Sequence, residues 1–112
     1  MNPSATLEAA KAIISTPRNW TQEAIARDRF GAEVRPEAET AECFCMVGAV
    51  RRAAANDNVA AGMAIRLLRA ACGCDPMGFN DAHGHKAVLK IMNRAIMLAN
   101  SEPVRSARVV AA

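Results

Sequence analysis

Cys43, Cys45, Cys72, Cys74, His83 and His85 are the side chains best suited to chemistry, and they fall into three pairs with one residue between the members of each. Four such thiolates and imidazoles could hold a tetrahedral zinc ion. The spacing argues against it. Zinc modules favour about two to four residues between paired ligands, and positions i and i+2 of a helix point about 200° apart. The run Cys43-Phe44-Cys45-Met46-Val47-Gly48-Ala49-Val50 reads as a buried apolar helix. Its thiols are then small hydrophobes, and neither a metal nor a cofactor is expected.

Catalysis by Cys45 is the alternative reading of the same run. A thiol enzyme sets a thiolate beside an imidazole that a third polar group orients. Cys45, with His83 or His85 and with Asn80 or Asp81, supplies all three types. Burial between Phe44 and Met46, however, would raise the thiol pKa and leave it inert. Asn80 or Asp81 also suits a helix N-cap, which would put His83 and His85 in a first turn as neutral, exposed side chains. The first expectation is therefore a protein that is not an enzyme, with a thiol-dependent enzyme using Cys45 and His83 or His85 as the alternative.

Cationic side chains suggest binding instead. Lys86, Lys90 and Arg94 recur at i, i+4 along one helix, Arg66 and Arg69 lie on another, and Arg51-Arg52 on a third. Phosphates could use such a ridge, but no aromatic residues interleave to stack on bases, so a solvated face is the plainer reading. Trp20, the single tryptophan, either anchors a hairpin to the core or meets a partner.

The elements that must position these groups follow from periodicity and caps. Leu7, Ala10, Ile13 and Ile14 predict a helix over 5–16, capped by Ser4 and stopped by Pro17. Residues 19–36 read as a β-hairpin about the turn Asp28-Arg29-Phe30-Gly31. Pro36, Glu37, Glu39 and Glu42 open a second helix over 37–55. After the polar break at 56–58, Val59, Met63, Leu67, Ala64, Leu68 and Cys72 form two adjacent rows of a third helix that ends at Gly73. Val88, Leu89, Met92, Ala95, Ile96 and Ala99 define a fourth, over 82–99. Met63 and Met92 are placed in the core.

Composition agrees with this layout. The 112 residues are 52% hydrophobic but only 4% aromatic, with no tyrosine, which favours close-packed helices over stacked sheets. The fold expected is α+β and mostly helical, with about four helices and one short β-hairpin, in a single domain over 1–103 followed by a mobile tail at 104–112. Net charge is +3, with 5 basic and 7 acidic residues in 1–42 against 9 and 4 in 43–112. No signal segment and no run of roughly 18 apolar residues occurs, so a cytoplasmic protein with reduced thiols and no membrane association is expected.

Trp20, Ala26-Arg27-Asp28-x-x-Gly31, Cys45-x-x-Gly48-Ala49 and Asn80-Asp81, followed by Val88-Leu89 and Ala95, form a pattern over about residues 7–99. It resembles an uncharacterised domain-of-unknown-function family of small bacterial and phage proteins. The chain has Phe79-Asn80-Asp81 where that family has Trp-Asn-Asp. The family needs only the cysteine aligned with Cys45, which puts in doubt any mechanism requiring all four thiols. The resemblance brings no activity with it and implies an accessory protein associated with a phage or mobile element. Such a protein would act by binding another macromolecule, a host or phage protein first and nucleic acid as an alternative.

Overall fold

Asn2 starts the first helix. Its side-chain oxygen accepts from the Ala5 N–H at 2.8 Å, and Pro3 fills the first helical position, where no N–H is needed. The computed structural model describes residues 2–111, with side chains for 2–101. In it α1 spans Pro3–Ile13, capped two residues before the expected Ser4. Helix α3, Asn58–Cys72, is capped by the Asp57 carboxylate on the Ala60 N–H and ends at Gly73, whose φ of +69° is the left-handed conformation expected of a stop.

Three expected elements differ. The second helix is α2, Met46–Ala54, rather than 37–55. Residues 35–41 instead form turns, because the carbonyls of Pro36 and Ala38 accept from the Arg52 guanidinium at 3.0 and 2.6 Å. Glu37 therefore pairs with Arg51 at 3.0 Å instead of facing a helix dipole. The expected fourth helix is two: α4, Pro76–Ala82, and α5, His85–Ala111. Asp75-Pro76, which reads as loop, is a cap followed by a first-turn proline, with the Asp75 carboxylate accepting from the Gly78 N–H at 2.9 Å. Asn80 and Asp81 thus lie near the end of α4 and cap nothing at its start. The tail expected at 104–112 lies outside the residues whose side chains are described.

The hairpin turn is present, but its second arm is not the main partner strand. Gly31 closes the turn through its N–H to the Asp28 carbonyl, and a single bridge joins Arg27 to Glu33. The antiparallel sheet is made by β1, Ala26–Arg27, and β2, Cys43–Phe44, in the register Ala26 to Phe44 and Arg27 to Cys43. Cys43 is a strand residue, and Cys45 is the N-cap of α2. The 200° argument therefore does not apply to this pair.

The architecture is mostly helical α+β. Leu7 and Ala10 of α1 and Ile14 at its C-cap pack with Met46, Ala49 and Val50 of α2, Ala64 and Leu68 of α3, and Val88, Met92 and Ala95 of α5, all fully buried. Met92 is in the core as expected. Met63 and Val59 are not: they are 46% and 73% exposed, because Ala60, Ala61, Ala64, Leu68 and Ala71 form the buried stripe of α3. Alanine on that stripe lets helix axes approach closely, which the larger Val59–Met63 row would prevent.

Candidate functional site

Asn80 is the best-connected polar side chain among the described residues and is fully buried. Its Oδ1 accepts from the Trp20 indole N–H at 2.7 Å and from the Met46 backbone N–H at 2.9 Å. Its Nδ2 donates to the Thr21 carbonyl at 3.0 Å and to the Asp81 carboxylate at 3.1 Å. A buried amide offers two donors and two lone pairs, and here all four are used. Trp20 thus anchors to the core, half-buried, with its ring 5.5 Å from that of His85.

Neighbouring groups complete a latch across the segment 20–28. The Gln22 side-chain NH₂ donates to the carbonyls of Asn80 and His83 at 3.1 and 2.8 Å, satisfying the C-terminal end of α4. Asp81 accepts from the Glu23 N–H at 2.8 Å and supports that residue at φ +61°. Arg27 ties the loop to itself through Thr21 Oγ1, the Gln22 carbonyl and the Gly31 carbonyl. The Asp28 carboxylate accepts from the Phe30 and Ala32 N–H groups, fixing the turn. Gly48 permits the close approach of this loop to α2, since a Cβ there would lie 1.9 Å from the Ile25 carbonyl oxygen.

Cys45 sits beneath this loop with no exposed surface. Its sulfur accepts from the Gly48 N–H at 3.3 Å and so does the work of an N-cap oxygen. Burial pushes the thiol pKa up, and the nearby Asp81 charge adds to this against the hydrogen bonds at the helix start. Neither histidine bonds to the thiol. His83 pairs its Nδ1 with the Phe79 carbonyl at 3.0 Å and stacks on the Phe79 ring at 3.9 Å. His85 is half-buried rather than exposed, its Nε2 donating to the Ile14 carbonyl at 2.6 Å. Among the described residues, no three His, Cys, Asp or Glu side chains gather as a metal site.

The structure leaves the cations of α5 outward. Lys86, Lys90 and Arg94 are exposed, and Met97, 72% exposed, falls on the same stripe at the helical period. No Asp or Glu occurs between Asp81 and Glu102. None of the three cations pairs with a carboxylate among the described residues. Arg51 and Arg52, by contrast, are held by Glu37 and by backbone carbonyls and take no part in a cationic surface. An open cleft of about 690 Å³, missed by the sequence reading, is lined by Arg18, Asn19, Asp28, Arg29, Gly31, Glu42 and Cys43. Its walls come from three segments far apart in sequence, a short helical turn at 17–19, the turn at 28–31 and the start of β2, so no local pattern announces it.

The chain belongs to a family of unknown function (DUF6197), whose model matches residues 1–98. No curated protein and no solved structure matches it. Trp20, Arg27, Asp28, Gly31, Cys45, Gly48, Asn80 and Asp81 together hold segment 20–31 against α2 and α4. No helix among the described residues is long and apolar enough to cross a membrane.

Proposed function

We propose that this chain is a non-enzymatic accessory protein that binds another macromolecule, and that the outward face of α5 is the contact surface. The observation that carries this reading is the division of its polar groups. Among the described residues, no buried side-chain nitrogen or oxygen lacks a hydrogen-bond partner, whereas Lys86, Lys90 and Arg94 stand exposed beside Met97. Catalytic groups are held ready for substrate, and the latch residues are instead engaged with one another. The partner that fits is a protein surface bearing carboxylates around an apolar spot that receives Met97. A link to a phage or mobile element rests on the resemblance alone.

Affinity capture from the cells that produce the protein tests the proposal, with the native chain compared with the triple variant Lys86→Glu, Lys90→Glu, Arg94→Glu. The expected result is an acidic partner protein recovered with the native chain and lost with the variant, its direct binding then measured with purified components. A capture profile identical for both chains would overturn the assignment of the α5 face.

Nucleic acid is the second reading, favoured by the carboxylate-free run from 82 to 101. It requires a gel shift whose affinity falls with salt, with a log–log slope near −0.9 for each phosphate contacted on a duplex. An absent or salt-insensitive shift excludes it.

A further inference from the structure

Cys72, Gly73 and Cys74 form the corner between α3 and α4 and take no part in the latch or the α5 face. Both thiols are free, Cys72 half-buried and Cys74 exposed. Gly73, at φ +69° and ψ 18°, curls the chain back so that the Cys72 thiol donates to the Cys74 carbonyl at 3.1 Å. The thiol is also 3.9 Å from the Arg69 carbonyl. The Cys72 thiol is the first cause of a raised Cys74 pKa, followed by loss of solvent and by the Cys72 and Asp75 charges. Two residues joined through one left-handed glycine also keep their Cα atoms within the roughly 4.4–6.8 Å that a disulfide spans.

We propose that Cys72-Gly73-Cys74 is a dithiol–disulfide exchange site that reacts with small organic disulfides. Cys74, the more exposed thiol, loses its proton and attacks one sulfur of the disulfide. This breaks the sulfur–sulfur bond and expels one thiolate, which takes up that proton. The Cys72 sulfur, deprotonated in turn, attacks Cys74 in the mixed disulfide and expels the second thiolate, which is protonated. Two protein thiols are thus oxidised to one intramolecular disulfide while one organic disulfide is reduced to two thiols. Cys45, buried and capping α2, is outside the exchange, and Cys43 is half-buried in β2 with its thiol 3.9 Å from the Arg27 carbonyl.

The test equilibrates the reduced full-length chain with mixtures of reduced and oxidised glutathione, quenches it by alkylation and maps the cysteines by mass spectrometry. Cys72 and Cys74 are expected to lose alkylation together, as a peptide lighter by two hydrogens, while Cys45 stays reduced. Cys72→Ser should trap glutathione on Cys74 for at least about tenfold longer than in the native chain, because the resolving thiol is gone. The oxidation rate should climb about tenfold per pH unit through neutrality, since the attacking thiol is mostly protonated there. A persistent mixed disulfide on the native chain, or oxidation that joins two molecules instead of Cys72 to Cys74, would overturn the proposal. Circular dichroism of Cys72→Ser and the reciprocal Cys74→Ser separates loss of exchange from loss of fold.

Discussion

The latch around Asn80 and the α3–α5 side of the molecule use opposite means of holding a chain in place. In the latch, short irregular segments are fixed by side-chain hydrogen bonds to backbone groups, and Asn80 alone makes four. Between α3 and α5, regular helices meet through Ala64, Leu68, Val88, Met92 and Ala95, and their outer faces expose Val59, Met63, Lys86, Lys90 and Met97. Density of polar motif residues therefore marks where the backbone lacks secondary structure to satisfy it. The exposed apolar and cationic side chains lie instead on regular helices.

Two helical glycines test this contrast most sharply. Gly48→Ala in the latch drives a methyl group into the Ile25 carbonyl, which is backbone and cannot swing away. It should cost about 3 kcal/mol or more, or prevent folding, as read by urea denaturation. Asn80→Ala strands the Trp20 indole N–H and the Met46 N–H in a buried site. A loss of roughly 3 kcal/mol is expected, with a change in Trp20 fluorescence. The same glycine-to-alanine change at Gly62, on the exposed side of α3 with nothing within 4 Å of the new Cβ, should instead raise stability by up to about 1 kcal/mol. Equal and same-signed effects at Gly48 and Gly62 would erase the distinction between the two regions.

Smaller effects sharpen it further. The Glu37 carboxyl is held below its ordinary pKa first by its own backbone N–H and then by Arg51, against partial desolvation. Its folded value being the lower, the stability it adds is present above the unfolded value and is lost as pH falls through the folded one. Glu37→Gln should therefore lower the melting temperature slightly near neutrality, with the difference vanishing in acid. The smallest stability change belongs to the triple reversal of Lys86, Lys90 and Arg94, which should stay within about 0.5 kcal/mol of the native chain. A large loss there would mean that the α5 face is structural after all.

The parts of the fold legible in the sequence are those with periodicity or strong local chemistry. Helix α3 shows its Asp57 break and its Gly73 stop, and the Asp28–Gly31 turn shows its residue types. The two-residue strands are too short to carry a period, and β2 lies inside an apolar run that also suits a helix. Cys45 as a cap was hidden because sulfur rarely takes that place. Asn80 was recognised as a capping type, but its actual partners lie 60 and 34 positions away, and no local pattern encodes a bond of that span. On the outward side, the Lys86–Lys90–Arg94 spacing was readable, while the exposure of Met63 depended on which of two rows of α3 met its neighbours.

Consider the latch in terms of the order in which the chain is made. Trp20 and Met46 are present long before Asn80, so a nascent chain that stops short of α4 has the indole N–H and the start of α2 with no internal acceptor. Water must serve both groups until residue 80 arrives, and it leaves when Asn80 is buried. The structure of the segment at 20–28 is in this sense specified by a residue synthesised some fifty positions later, and the last side chain to enter the loop's environment is the one that closes it.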